Sequence, residues 1–235
     1  MIKRQIPNLI TLGNLGCGVV ATYAALWLHD PSLAALFICG GILLDFFDGL
    51  SARLLGVSSP LGKELDSLAD VVTSGVAPAA ILYCLTQITL FHHQLEWLAI
   101  VYLLIPLCAA YRLAKFNLDT RQTHSFLGLP VPSQALVWVG LALSTRRELV
   151  TEPLAGVIVI LAVSVLLNGL MLSSLPLFSL KFDFKKMAWN TNKLQYIFLI
   201  TCALIIILIR DWMAIPVIIL WYILLSVITR HRHNA

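Results

Sequence analysis

The chain has 235 residues, is 59% hydrophobic and 12% charged, and carries a formal net charge of +4, with mean hydropathy +0.89. Soluble domains carry about 25% charged residues, so this composition excludes a soluble globular protein and fits a polytopic membrane protein of one domain, 1–235. The basic excess comes without the aromatic–basic interleaving of single-strand binders, so no nucleic-acid partner is expected.

A membrane crossing needs about 20 largely apolar residues. Eight segments approach that length, at about 8–28, 33–55, 65–87, 95–116, 131–145, 150–174, 194–210 and 213–230. The predicted fold is therefore all-α integral membrane, with about eight transmembrane helices. The opening "MIKRQIPNLITLGNLGCGVV" begins like a signal peptide, but the apolar run continues to Leu28 without a small-residue cleavage site, so a retained helix is expected. Asn8 reads as a helix cap there. Cys17, Cys39, Cys84, Cys108 and Cys202 stand singly in apolar segments and read as reduced core residues. "IRDW", 209 to 212, is too charged for mid-membrane and divides the last two spans.

An even number of spans puts both termini on one side. All Lys and Arg except Arg146, Arg147 and Arg210 fall on that side. By the positive-inside rule both termini are cytoplasmic, in a multi-pass protein of the cell membrane. The same residues attract anionic membrane lipids. "KFDFKKMAWNTNK", 181 to 193, reads equally as an interfacial stretch or a solvated loop.

The stretch "LLDFFDGLSARLLGVSSPLGKELDSLAD", 43 to 70, places four aspartates at the cytoplasmic corner between the second and third spans. A carboxylate in a bilayer costs on the order of 2.5 kcal/mol or more. Asp45 and Asp48 share a helix face, as do Asp66 and Asp70. The short link "GVSSPLG" makes the two helices antiparallel neighbours, so the pairs converge. Four converging carboxylates need cations. Oxygen-only ligands suit two divalent metal ions, Mg²⁺ or Mn²⁺, which would clamp a diphosphate at the cytoplasmic interface. Gly49 and Ala52 leave room for a ligand beside Asp45, Arg53 lies just beyond, and Gly62 lets a ligand approach the backbone before the third span. A cation-coupled transporter or an aspartate-rich prenyltransferase also keeps acids in membrane helices. The first usually shows internal repeats, the second two separated acid motifs, and neither pattern is present.

The spacing Asp45-x2-Asp48-Gly49-x2-Ala52-Arg53-x8-Gly62-x3-Asp66-x3-Asp70 resembles the signature of the CDP-alcohol phosphatidyltransferases, with every fixed position present. The resemblance implies transfer of a phosphatidyl group from CDP-diacylglycerol to an alcohol, with release of CMP. It implies Asp45, Asp48, Asp66 and Asp70 at two divalent ions, Asp70 as the base, Gly49, Ala52, Arg53 and Gly62 at the CDP-lipid, and a homodimer. Asn14, deep in the first helix, is expected at the same donor site.

Three further segments are similar to serine-using bacterial and archaeal members of that family. They are "IPNLITLGNLGCG" at 6 to 18, "YRLAKFN" at 111 to 117 and "FLGLPVP" at 126 to 132. The likeness implies L-serine as acceptor, held by Arg112, Lys115 and Asn117. Lys115 departs from the usual arginine and loses the bidentate fork that grips a carboxylate, so Arg112 is the better carboxylate ligand. Arg112 and Lys115 also obey the positive-inside rule, and His124 is placed in a loop nearby. Glycerol phosphate, inositol phosphate or an archaeal-type lipid donor remain alternatives.

Overall fold

The computed structural model describes residues 2–57, 59–118, 128–175 and 193–233, with side chains except those of 2–4, 193 and 229–233. Arg121, His124 and the stretch 181 to 193 lie wholly or almost wholly outside the described residues. The described residues are helical and contain no strand. Helix α1 spans Ile2–Leu26, α2 Pro31–Leu54 and α3 Pro60–Val71. A π turn, Val72–Val76, joins α3 to α4, Ala77–His92. A 3₁₀ segment, Glu96–Leu103, leads into α5, Leu104–Leu118. The remaining helices are α6 Val131–Leu143, the short α7 Glu148–Thr151, α8 Leu154–Leu172, α9 Lys193–Ile209 and α10 Ala214–His233.

Five helical stretches are long and apolar enough to cross a membrane: Gln5–Leu26, Pro31–Leu54, Pro60–His92, Glu96–Leu118 and Leu154–Leu172. Val131–Leu143, Leu194–Ile209 and Ala214–Ile228 are apolar but shorter. All eight overlap the segments that the hydropathy marked. Asn8 does not cap a helix but lies inside α1, which starts at Ile2. The third span starts at Pro60, not near 65, because Ser59 caps it through Gly62 N and proline occupies the first helical position. Asp30 and Pro31 start α2 in the same way, with the Asp30 carboxylate accepting from Ser32 N and Leu33 N.

The span Pro60–His92 has 33 residues, about 50 Å of helix. The hydrocarbon core is about 30 Å thick. The helix is therefore longer than the hydrocarbon core, and its charged first turns, with Lys63 and Glu64, are the part least suited to lie within it.

Helix α1 lies along α2 and also packs on α3, the π turn and α4, whereas α2 and α3 make little direct backbone contact. The layer shared by α1, α2, α4 and α6 is built from alanines, among them Ala21, Ala24, Ala34, Ala35, Ala77, Ala80 and Ala135. Small residues let membrane helices approach closely. A second core of larger side chains, including Leu82, Tyr102, Ile105, Trp138, Leu167 and Met171, joins α4, α5, α6 and α8. The face opposite the acidic stretch is tied by polar bonds. Arg147 Nη1 donates to Ser32 Oγ at 2.6 Å and to the Ala142 carbonyl at 2.8 Å, joining α2 to α6. Asp211 accepts from Thr145 Oγ1 at 2.6 Å, and the Ser144 and Thr145 hydroxyls hold its carboxyl below the usual carboxylate range.

Candidate active site

The last turns of α2 carry Asp45 and Asp48, and α3 carries Asp66 and Asp70. Because α1 backs both helices while they stay apart, their carboxylates meet across the space between them. One oxygen from each of Asp45, Asp48 and Asp66 lies within 4.8 Å of the others. A hard divalent cation is bound by oxygen ligands in such a set. The residues present therefore fit the divalent-metal dependence general to the family that this signature resembles. Asp70 is not part of this three-oxygen group. It sits four residues further along the helix, about 6 Å deeper, and is 9% exposed.

Helix α1 orients two of the acids. Thr11 Oγ1 lies 2.5 Å from Asp48 Oδ2 and donates to it, with the Pro7 carbonyl as an alternative acceptor at 3.0 Å. Asn14 Nδ2 donates to Asp70 Oδ1 at 3.5 Å. Asn14 is fully buried, and its own carbonyl accepts from Thr73 Oγ1 at 2.9 Å. It is bonded to Asp70 on one side and to Thr73 of the π turn on the other, because its position in α1 faces that turn. Replacing Thr11 with Val removes the hydroxyl that holds Asp48. The expected result is about 10- to 100-fold weaker Mn²⁺ affinity, the usual effect of losing a partner of a metal ligand. A Mn²⁺ titration of the variant checks it, with Thr11→Ser restoring the hydroxyl.

The π turn holds this arrangement at its deep end. Pro78 has no N–H for the Ser74 carbonyl, so the helix ladder slips and Ala77 N reaches back to Val72 O. The widened turn buries Thr73, Ser74 and Gly75 against α1, α2 and α5. A Cβ on Gly18 would lie 2.7 Å from Thr73 Cα, and one on Gly41 2.8 Å from Asn14 Oδ1. Both glycines are there for close approach.

At the outer end of the acids is a cleft of about 510 Å³, walled by Pro7, Asn8 and Thr11 of α1, by Asp48, Gly49, Ala52 and Arg53 of α2, and by Ser59, Gly62, Lys63 and Asp66 near the start of α3. All four signature residues expected at the CDP-lipid are on this wall. No atom lies within 4 Å of where a Cβ on Gly49 would be, so that wall is open to a ligand. A Cβ on Gly62 would come within 3.1 Å of Asn8 Oδ1. Arg53 Nε donates to the Gly49 carbonyl at 3.0 Å, which holds the side chain along α2 at the cleft. Asn8 and Lys63 are cleft residues that the sequence reading did not assign to it; the i, i+3 relation of Asn8 to Thr11 on one helix face was the available signal.

The three residues expected at the acceptor separate. Arg112 is half-buried on α5, and its Nε has no hydrogen-bond partner among the described residues. Asn117 is engaged elsewhere: its Nδ2 donates to Ser67 Oγ at 2.8 Å and its carbonyl accepts from Lys63 Nζ at 2.9 Å. Lys115 is exposed in the last turn of α5 and is not among the residues that wall the cleft.

Comparison with known proteins agrees with this geometry. The model of the family described as CDP-alcohol phosphatidyltransferase matches residues 4–173. The chain is 31% identical over 230 residues to a Helicobacter pylori protein named CDP-diacylglycerol–serine O-phosphatidyltransferase, covering 94% of this chain and 89% of that one. A Bacillus subtilis protein of the same name is 42% identical over 128 residues, covering 54% of this chain and 69% of the relative. A Mycobacterium leprae protein of that name is 38% identical over 143 residues, covering 58% of this chain but only 46% of its own length. A match that runs through the four aspartates, the cleft wall and the π turn leaves one conclusion about descent: the chain is an enzyme of the CDP-alcohol phosphatidyltransferase family.

Proposed function

We propose that this enzyme is a phosphatidylserine synthase, moving the phosphatidyl group of CDP-diacylglycerol to the hydroxyl of L-serine and releasing CMP. The observation that carries the proposal is the convergence of Asp45, Asp48 and Asp66 beside a cleft large enough for a nucleotide, in a chain whose relatives carry that name. The location suits the donor, whose acyl tails belong in the bilayer and whose diphosphate belongs at its edge.

Asp45, Asp48 and Asp66 would hold two divalent cations, Mg²⁺ or Mn²⁺, which when bound neutralise the diphosphate and the charge developing on the departing CMP. Gly49, Ala52, Arg53 and Gly62 form the wall on which the nucleotide rests. Asp70, steadied by Asn14, takes the proton from the serine hydroxyl. The serine oxygen attacks the phosphorus that bears diacylglycerol, the bond from that phosphorus to the oxygen bridging to CMP breaks, and CMP leaves with that oxygen. No phospho-enzyme forms. Arg112, whose buried Nε has no partner among the described residues, grips the serine carboxylate. Lys115 and Asn117 act at the rim of the acceptor side. The whole of 1–235 forms one domain in the cytoplasmic membrane, with both termini cytoplasmic, and works as a homodimer among membrane lipids.

The test is CMP release by purified protein given CDP-diacylglycerol, Mn²⁺ or Mg²⁺, and one acceptor at a time. Metal-dependent release with serine alone is the expected result. Release with glycerol 3-phosphate or inositol phosphate instead would keep the aspartate chemistry and remove the serine assignment. No release with any alcohol would overturn the transfer reaction proposed for this chain.

A further inference from the structure

Lys63 is outside the fixed positions of the signature, and the mechanism above does not use it. It stands in the first turn of α3, exposed, and lines the same donor cleft as Arg53 of α2. Its ammonium is anchored: Nζ donates to the Asn117 carbonyl in the last turn of α5 at 2.9 Å. Asn117 Nδ2 in turn donates to Ser67 Oγ at 2.8 Å, and Ser67 Oγ donates to the Lys63 carbonyl at 3.2 Å. The three residues close a ring of hydrogen bonds between α3 and α5.

Two physical points follow. A carbonyl at the C-terminal end of a helix carries partial negative charge and favours a cation. An ammonium has three donors, and one is used among the described residues, so the others are available to an oxygen-rich anion. A lysine stem usually loses rotamer freedom when it grips a ligand. Here the stem is already held. Arg53 is held in the same way by its Nε bond to Gly49. Two tethered cations, one from α2 and one from α3, line one cleft and suit a phosphate-bearing ligand.

We propose that Lys63 binds the diphosphate of the nucleotide-lipid together with Arg53, and that through Asn117 it couples donor occupancy to the end of α5. That end carries Arg112 on the acceptor side, so donor and acceptor strengthen each other's binding. The inference rests on the donor reading given above and deepens it.

The test uses the full chain in lipid nanodiscs, with CDP and Mn²⁺ as probe. Lys63→Met is expected to bind CDP about tenfold more weakly, the worth of one charge-assisted hydrogen bond. Lys63→Arg should recover most of that loss. In the unaltered chain, CDP should slow amide hydrogen exchange across residues 111–118; in Lys63→Met, saturating CDP should not. Lys63 is exposed, so the variant should fold, and Lys63→Gln gives a second neutral replacement. CDP binding by Lys63→Met at the original affinity would overturn the diphosphate contact. Weaker binding with undiminished slowing at 111–118 would overturn the coupling. No CDP binding by the unaltered chain would overturn the donor reading itself, and the role of Lys63 with it.

Discussion

Asp70→Asn should lower kcat by about 10²- to 10⁴-fold, the usual contribution of a positioned general base, while CDP with Mn²⁺ binds within a few-fold of its original affinity. The side chains are nearly the same size, and the amide oxygen of the replacement can still accept from Asn14 Nδ2, which lies 3.5 Å from the present Asp70 oxygen. The three-oxygen group of Asp45, Asp48 and Asp66 does not include residue 70, so the cation ligands and the cleft wall stay as they are. What disappears is the capacity to take a proton from the acceptor hydroxyl. Asp66→Asn is the contrasting variant: it breaks the three-oxygen group and should lose metal binding and turnover together. Single-turnover CMP release alongside CDP titration separates the two effects. An Asp70→Asn enzyme with unchanged turnover would remove residue 70 from the base role, and equal loss of CDP binding in both variants would make it a metal ligand instead.

The division between Asp70 and the other three acids was only half legible in the sequence. Helical periodicity put Asp45 with Asp48 and Asp66 with Asp70, and the cost of a charge in the bilayer marked all four as functional. What periodicity does not convey is depth. The helices run in opposite directions, so the second acid of α3 lies further into the bundle than the first. The spans themselves were legible because a lipid-facing helix is apolar over its whole length, as Leu9, Phe91 and Leu208 show, each about two-thirds exposed. The place of α1 was not. Thr11 looks like a scattered polar residue in an apolar run, and Asn14, although expected near the site, is shown only by packing to bond Asp70, as Thr11 bonds Asp48. Lys63 was hidden for a different reason: lysines are common near the ends of membrane spans, so its bond to Asn117 leaves no mark in the composition. The π turn had a sign, a proline at 78 following Ser74 by four residues, but a proline near a helix start is more commonly read as an ordinary first-turn residue.

That turn gives the second large effect. Gly18→Ala should destabilise the protein by about 1–3 kcal/mol or more, the range for overpacking a filled interior, and should lower turnover as well. A Cβ on Gly18 would lie 2.5 Å from Thr73 Oγ1, 2.7 Å from Thr73 Cα and 2.8 Å from Thr73 N. Two of those atoms are backbone, held on the far side by α5, where a Cβ on Gly75 would already come within 3.1 Å of Pro106 Cα. A side chain cannot rotate out of such a contact, so α1 has to move away from the π turn. That movement stretches the bond from Thr73 Oγ1 to the Asn14 carbonyl and draws Asn14 from Asp70. Stability and chemistry therefore fall together through one displacement. Gly16→Ala is the control two residues away: nothing lies within 4 Å of its Cβ position, and the residue is exposed on the outer face of α1. It should leave both properties unchanged or raise stability slightly, since alanine favours the helix. Thermal unfolding and CMP release of the two variants in the same lipid make the comparison. A Gly18→Ala protein as stable and as active as Gly16→Ala would mean that α1 does not press on the π turn, and Asp70 would then need some other support than Asn14.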